Sequence, residues 1–168
     1  EAWRHIAAQR AHFAAVSDLP EDTQTITYRM DTCQQAGFQT HALAIDGLGW
    51  DRDAERFVDD ADGEVSALFK LYPWEWLWNE AFAEQLPQAK NLFIEPPWKL
   101  LLSNKGLLPI LWELNPGHPN LLPAFETANA SLNGHYARKP RFSREGANVT
   151  LVERGVTVEE NSGDYGAE

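Results

Sequence analysis

The sequence predicts an α/β fold with α+β character, in which a parallel α/β part is followed by an antiparallel β part. Two strand-like segments flank a helical segment within residues 11–45, and this order is typical of a parallel β-α-β unit. Near the other end, two strand-like segments are joined by a short turn that contains Gly146, which is typical of an antiparallel pair. We place the boundary at Ser103, so residues 1–102 form the first predicted domain and residues 103–168 the second.

The predicted β-α-β unit follows a short predicted helix at residues 2–8. Its strands cover residues 11–16 and 38–45, and its helix covers residues 23–35. Gly37 is expected to end the helix, because glycine adopts left-handed backbone conformations that other residues avoid. A small parallel sheet follows from this order.

Glu21 and Asp22 lie between the first predicted strand and its helix. Ligands of open α/β sheets bind at the carboxyl ends of the strands, so an acidic pair there is a candidate docking site for a cationic amine. The alternative is that both carboxylates only stabilise the helix N-terminus through its dipole. The residues alone favour this alternative.

The rest of the first domain is predicted as a polar hairpin, a strand, an aromatic helix and a further strand. The hairpin covers residues 51–63, and aspartates near its end are spaced as in a calcium loop. The distal glutamate of such a loop is missing, so a turn is favoured. The strands cover residues 65–71 and 92–95, and the helix starts at Pro73. Its apolar face carries Trp74, Trp78 and Phe82.

The second domain is predicted to begin with an apolar helix at residues 107–114. A short strand near residues 121–125 and a polar loop at residues 127–134 follow. Paired strands at residues 136–142 and 147–153 come next. The turn between these last strands is the most informative stretch of the chain.

That turn concentrates positive charge. Of the 14 lysines and arginines in the chain, four lie close together here: Arg138, Lys139, Arg141 and Arg144. Backbone N–H groups in such a turn can converge on an anion, and an arginine can bind two of its oxygens at once. This combination suits a phosphate, while the alternative is an exposed hairpin whose charges are solvated.

Lys105 adds a cation from a separate segment. Ser103 or Asn104 is the expected N-cap of the apolar helix, which places Lys105 in its first turn. The helix dipole disfavours a cation there, and a cation placed against the dipole often serves an anionic ligand. The alternative is a lysine that points into solvent.

The composition of the chain limits the kinds of molecule that it is expected to bind. The net charge is −11 and the isoelectric point is about 4.8, which argues against nucleic acids and anionic membranes as partners. No apolar run reaches membrane-spanning length. The single cysteine, Cys33, excludes an internal disulfide and fits a reducing cytoplasm. The five histidines show no metal-ligand spacing, so we expect surface or core roles for them.

Six short motifs occur in order along the chain, at residues 69–76, 95–99, 103–105, 111–113, 119–123 and 139–148. Together they resemble the glutathionylspermidine synthase family, including its bacterial acid–amine ligase branch. The resemblance covers nearly the whole chain and is strongest from Phe69 to Glu153.

The resemblance implies part of a pre-ATP-grasp α/β domain followed by part of an ATP-grasp domain. Such a ligase uses ATP and Mg²⁺ to convert a carboxylate into an acyl phosphate, which an amine then attacks to give an amide. The implied partners are a small-molecule carboxylate, such as a glutathione-like peptide, and an amine, such as a polyamine. Neither nucleic acid nor membrane is expected as a partner, and the cytoplasm is the expected location.

The resemblance also assigns roles to residues of the basic turn. Lys105 and Lys139 match the two lysines that bind the nucleotide phosphates. Arg144 matches a catalytic arginine on a mobile loop that closes over the phosphates. Glu145 and Gly146 match loop positions that touch ATP through the backbone.

On the substrate side, Glu21 and Asp22 match the acidic pair near the glutathione and polyamine sites. Leu71 stands where members that make glutathionylspermidine carry a threonine that touches glutathione, so this chain departs from the glutathione pattern there.

The family's metal ligands form an Asp…Glu-x-Asn set upstream of these motifs, and its adenine site lies downstream. We therefore expect an internal piece of a larger ligase, with no metal ligand of its own and with a glycine-rich acidic tail at residues 161–168. Two other functions stay open. One is a non-catalytic nucleotide- or anion-binding module that keeps the cations, and the other is a hydrolase with Cys33 as nucleophile.

Overall fold

The computed structural model describes residues 2–163 of the chain. The chain forms two compact units, Glu1–Leu100 and Leu101–Glu168. Most of the predicted acidic tail, residues 164–168, lies outside the described residues. The assignment of the two predicted domains to pre-ATP-grasp and ATP-grasp folds stays a prediction. The predicted change from a parallel to an antiparallel sheet does occur between the two units.

The first unit opens with the predicted parallel arrangement. A 3₁₀ helix, Ala2–His5, precedes β1 (Arg10–Ala15), α1 (Pro20–Gln35) and β2 (Gln39–Ala44), and β1 pairs with β2 in parallel. Gly37 has a φ of +94° directly after the helix, as the glycine stop requires.

The helix α1 begins at Pro20, three residues before the predicted start at Thr23. Proline fits the first helical turn because its missing N–H would have no partner there. Glu21 and Asp22 therefore belong to the first turn of the helix and do not precede it.

Four further strands complete the first unit. The predicted hairpin is formed by β3 (Gly49–Asp51) and β4 (Arg56–Val58), which pair antiparallel. β5 (Ala67–Lys70) and β6 (Leu92–Ile94) extend the parallel sheet, whose strand order is β2-β1-β5-β6. The mixed α/β class predicted from the sequence is thus confirmed.

The aromatic helix is much shorter than predicted. α2 spans Trp74–Leu77, and the N–H of Asn79 already bonds the carbonyl of Trp76 three residues back, so the chain tightens out of the α-helix. Trp74 is buried, whereas Trp78 is exposed. The prediction that Trp74, Trp78 and Phe82 share one face of a single helix is therefore wrong. Phe82 nevertheless packs against the same core as Trp74.

Two apolar clusters lie on opposite faces of the parallel sheet, because successive side chains of a strand point to opposite faces. On one face Phe13 packs with Ile26 and Cys33 of α1. On the other face Ala14 joins the larger cluster, whose biggest members are Leu68, Phe57, Trp74 and Phe93. His12 shares the face of Ala14 and is 0% exposed.

The second unit contains the predicted apolar helix, α3 (Leu107–Leu114), with the predicted bounds. Its sheet is antiparallel and has the order β7 (Tyr136–Arg138), β8 (Thr150–Glu153) and β9 (Val156–Glu160). A 3₁₀ turn, Ala130–Leu132, lies in the predicted polar loop. Within residues 2–163, no helix has the length and apolar character needed to cross a bilayer.

Three details of the second unit differ from the prediction. Residues 121–125 form no strand, and Pro123 within them lacks the N–H that a central ladder position needs. β7 ends at Arg138, so Lys139 lies in a loop and not on a strand. The strand β9 was not predicted, although its first three residues alternate apolar and polar side chains as strands do.

Candidate functional site

Lys105 is tied to the loop that connects β7 to β8. Its backbone N–H donates to the carbonyl of Arg141 at 2.9 Å, and its Nζ donates to the carbonyl oxygen of Ser143. The same Nζ lies 3.0 Å from Ser143 Oγ. Ser143 is itself buried. These bonds hold the Lys105 ammonium group against a loop that is distant in sequence.

Gly106 occupies the N-cap position of α3, so the predicted cap at Ser103 or Asn104 is wrong. Lys105 consequently lies before the helix and not in its first turn, and the helix dipole does not explain its position. Asn104 Oδ1 instead accepts a hydrogen bond from the N–H of Gly106 at 2.9 Å. A Cβ at Gly106 would lie 2.8 Å from this oxygen, so glycine allows the tight bend.

Three cations come together at this point. Burial lowers the pKa of Lys105, and the neighbouring charges of Lys139 and Arg144 lower it further. Lys139 is exposed and Arg144 is half-buried. A bound anion would relieve the repulsion among the three, so the arrangement suits a phosphate chemically. Their roles in binding or catalysis stay a prediction.

The other two basic residues of the stretch have partners within the protein. Arg141 forms an ion pair with Glu126 at 2.7 Å, and Arg138 donates to Thr150 Oγ1 at 3.3 Å. The structure therefore separates the four cations seen in the sequence into two groups. Lys139 and Arg144 act electrostatically on Lys105, whereas Arg138 and Arg141 stabilise the flanks of the loop.

Glu145 and Gly146 form the tip of a tight turn. The N–H of Ala147 donates to the carbonyl of Arg144 at 2.9 Å, and φ is +52° at Glu145 and +78° at Gly146. Positive φ at both central residues is the signature of a type I′ turn. Both residues are exposed, so their backbone is accessible to a ligand, as the predicted contact with ATP would require.

The residues on both sides of this turn are held in place, whereas Glu145 and Gly146 at its centre are exposed. Ser143 before the tip and Ala147 after it are both buried. The side-chain amide of Asn148 pairs with the backbone of Gly163, donating at 2.8 Å and accepting at 3.2 Å. A short projecting loop on fixed ends is a suitable support for residues that close over a ligand.

Glu21 and Asp22 lie in the first unit, on the first turn of α1. Acidic residues there interact favourably with the helix dipole, so the structural role considered from the sequence applies. Beside them a groove of about 210 Å³ is lined by the carboxyl ends of β1 and β2 and by one face of α1. Its lining on α1 begins at Thr23, so the acidic pair lies just outside the groove.

Leu71 and Cys33 have structural surroundings. The N–H of Leu71 donates to the carbonyl of Ala14 at 2.7 Å, and its side chain packs against the α1-side core. Cys33 is 0% exposed, and burial raises the pKa of its thiol. Because the thiolate is the nucleophile, both properties count against the hydrolase alternative.

Two groups of polar residues in the first unit were not predicted to form sites, although the second includes aspartates from the stretch that is spaced like a calcium loop. Lys70 is buried, donates to the carbonyl of Tyr72 at 2.9 Å and lies 4.3 Å from the Trp74 ring centroid. The second group brings His12 and His41 of neighbouring strands beside an aspartate pair in the turn after β4.

No short motif could reveal that second group. His12 bonds an aspartate 47 residues away, and His41 contacts one 19 residues away. Two partial signals were present. One was the aspartate spacing at residues 59–63, which was interpreted as a turn. The other was the position of His12 in an otherwise apolar strand, which predicts a buried histidine that needs a partner.

Comparisons with known proteins agree with the family resemblance. The family described as "Glutathionylspermidine synthase preATP-grasp" matches residues 1–168. A Haemophilus influenzae protein named "Putative acid--amine ligase" is 42% identical over 154 residues, which are 88% of this chain and 38% of that protein. The trypanothione synthetase of Crithidia fasciculata is 30% identical over 185 residues, 95% of this chain and 28% of that protein.

A further relative is the bifunctional glutathionylspermidine synthetase/amidase of Escherichia coli K12. It is 30% identical over 191 residues, which cover 98% of this chain and 30% of that protein. The chain therefore belongs to the glutathionylspermidine synthase pre-ATP-grasp family. It spans about a third of the length of these relatives.

Proposed function

We propose that the protein to which this chain belongs is an ATP-dependent carboxylate–amine ligase that forms an amide through an acyl phosphate. The observation that carries the proposal is the convergence of Lys105, Lys139 and Arg144 beside an anchored turn. The names of the relatives, a ligase and two synthetases, support the reaction class. The family implies ATP and Mg²⁺ as cofactors, and the cations described here fit the phosphate part of that pair.

Each residue of the basic cluster has a distinct proposed role. Lys105 and Lys139 bind the nucleotide phosphates by charge, and Lys105 is already positioned by Ser143. Glu145 and Gly146 contact the nucleotide through their exposed backbone. Arg144 is the catalytic residue, because an arginine on a projecting loop can stabilise the charge that develops on a transferring phosphoryl group. Mg²⁺, when bound, would neutralise part of the negative charge of the phosphates, and we assign it no ligand in this chain.

The substrate side of the proposal is coarser. We propose a small-molecule carboxylate, of which a glutathione-like peptide is one example, and an amine such as a polyamine. Glu21 and Asp22 would attract the cationic amine toward the carboxyl ends of the parallel strands. Leu71 packs against the core and offers no hydroxyl, so glutathione itself is not the preferred acid. We place the enzyme in the cytoplasm, because the single cysteine is free and buried.

Calorimetric titration of MgATP and of ADP into the full-length protein tests the nucleotide site. The variant carries Lys105→Ala and Lys139→Ala, and the matched control is Lys90→Ala, a surface lysine that is 70% exposed and pairs with Glu55. We expect binding in the wild type and the control and its loss in the double variant. Equal binding by all three proteins would show that the two lysines are surface charges and would overturn the proposal.

Release of ADP then separates a ligase from a non-catalytic module with the same cations. We expect ADP release that depends on both an acid and an amine from a panel of small carboxylates and polyamines. Tight nucleotide binding with no ADP release across such a panel would favour the binding module.

A further inference from the structure

The turn after β4 and the adjacent strand β2 bring metal-ligand side chains together. His41, Asp59 and Asp60 each offer one ligand atom, and these three atoms lie within 4.8 Å of one another. We propose that they form a binding site for a divalent transition metal ion, with Zn²⁺ the best fit. One imidazole nitrogen and two carboxylate oxygens are a donor set that zinc accepts, and three protein ligands leave an open coordination position.

The separation of His41 and Asp60 fits two ligands of one ion. His41 Nε2 lies 3.4 Å from Asp60 Oδ1, which is long for a charge-assisted hydrogen bond. Two ligands on a tetrahedral zinc ion with bonds of about 2.0–2.1 Å lie roughly 3.4 Å apart. The two side chains are 41% and 65% exposed, so an ion can enter from solvent and Asp60 can turn to complete the geometry.

Asp59 is held in place as a ligand would need to be. Its Oδ1 accepts hydrogen bonds from the N–H groups of Ala61 at 3.0 Å and Gly63 at 2.7 Å, and its Oδ2 lies 3.1 Å from His12 Nε2. A carboxylate has about four lone-pair positions, and these bonds use three of them. One position on Oδ2 is left for a metal ion.

A hydrogen bond from His12 helps to orient the Asp59 carboxylate. His12 is 0% exposed, and the ring centroids of His12 and His41 are 5.3 Å apart. The Nε2 atom of His12 lies 3.1 Å from Asp59 Oδ2, so a ring that carries its proton on Nε2 donates to the Asp59 carboxylate. Carboxylates that bind a metal ion are themselves usually hydrogen-bonded by neighbouring residues. His12 Nδ1 is buried and has no hydrogen-bond partner within residues 2–163.

Two features distinguish this site from the proposed nucleotide site. The first is that the metal-ligand cluster consists of residues of the first unit alone. The second is that an imidazole ligand suits zinc better than Mg²⁺, which prefers oxygen ligands and keeps several waters. The ion proposed here is therefore not the magnesium that accompanies ATP.

Zinc titration of the full-length protein without nucleotide, in competition with a chromophoric chelator, tests the site. The ligand variants are Asp60→Asn and His41→Gln, whose exposed side chains can change without loss of the fold, as circular dichroism would verify. The matched control is Asp62→Asn, which removes an equal charge from the same turn. Asp62 has a φ of +60°, a conformation that asparagine also accepts.

We expect one zinc ion whose affinity falls at least tenfold in each ligand variant and less than twofold in the control. Zinc should also raise the melting temperature of the wild type and the control but not of the ligand variants. The proposal is overturned if both ligand variants bind zinc as the wild type does, or if the control loses as much affinity as they do. Displacement of the zinc by millimolar Mg²⁺ would also overturn it, because the cluster would then be an unselective acidic patch.

Discussion

At the scale of single residues, the contact between Tyr72 and Glu80 keeps the Tyr72 hydroxyl protonated to high pH. Its hydroxyl donates to Glu80 Oε1 at 2.5 Å. Burial, together with this hydrogen bond and the negative charge of Glu80, raises the pKa of Tyr72 to about 12. The ordinary value is 10.0, so Tyr72 stays neutral when exposed tyrosines ionise.

Ultraviolet titration of tyrosinate should therefore show one late step near pH 12 that disappears in Tyr72→Phe. Because the folded-state pKa lies above the unfolded value, the contact stabilises the protein below about pH 10. That stabilisation is lost as the pH rises from 10 toward 12. Glu80→Gln removes the charge and should move the late step to lower pH. A tyrosinate difference between wild type and Tyr72→Phe centred near pH 10 would contradict this assignment.

Residue types point to the cluster that we propose to bind phosphate, but not to the proposed metal site. Lys105, Lys139 and Arg144 stand out in an acidic chain because their charge is unusual and their segments are short. His41 and Asp60 are common residue types in exposed positions, and only the pairing of β1 with β2 and the turn after β4 brings them together. Such long-range juxtaposition leaves no local pattern in a single sequence.

At the scale of elements, the turn at residues 59–63 depends on glycine. A Cβ at Gly63 would lie 2.7 Å from Asp59 Oδ2 and 2.9 Å from Oδ1. The carboxylate cannot move away easily, because three hydrogen bonds and burial hold it. The turn conformation and the orientation of Asp59 are therefore coupled.

We expect Gly63→Ala to destabilise the protein by about 1–3 kcal/mol, which is the usual cost of overpacking. Urea denaturation measures this as a lower midpoint. The matched comparison is the same substitution in an Asp59→Ala background, where the clashing oxygens are gone and the added cost should be much smaller. An equal cost in both backgrounds would show that the methyl group acts through the backbone and not through Asp59.

Elements with strong local signals were predictable. The β-α-β order, Gly37 and the helix Leu107–Leu114 follow from apolar spacing and from glycine at a helix end. The aromatic helix after Pro73 was overpredicted, because a four-residue recurrence of large rings also arises when a short helix and the following turns pack on one core. The strand Val156–Glu160 pairs with β8 and was missed, because its apolar and polar alternation covers only three residues and is short for a strand signal.

At the scale of the whole molecule, a strongly acidic chain carries a local cluster of positive charge. The net charge of −11 on this chain repels anions at long range, so the nucleotide binding that we propose depends on short-range contacts. Burial and hydrogen bonding hold Lys105 in place, whereas Lys139 is exposed. The two lysines carry the same charge, so they differ in how well their side chains are positioned.

Together with the proposed role of Arg144, this difference predicts distinct kinetic defects in the full-length protein. Lys105→Ala should weaken MgATP binding more than Lys139→Ala, because a side chain that is already held by Ser143 loses less conformational freedom on binding. Arg144→Ala should leave the Kd for MgATP within a few-fold of the wild type and lower kcat by on the order of a hundredfold, since its interaction strengthens as charge develops on the phosphoryl group.

The measurement combines calorimetric Kd values with initial rates of ADP release at saturating acid and amine. Arg141→Ala serves as the control, because it removes an arginine from the same loop whose partner is Glu126. If Arg144→Ala and Lys105→Ala weaken MgATP binding equally and leave kcat unchanged, Arg144 is a ground-state ligand. The turn at residues 144–147 would then bind the nucleotide equally well in the ground state and in the transition state. It would not contribute to the rate of the chemical step.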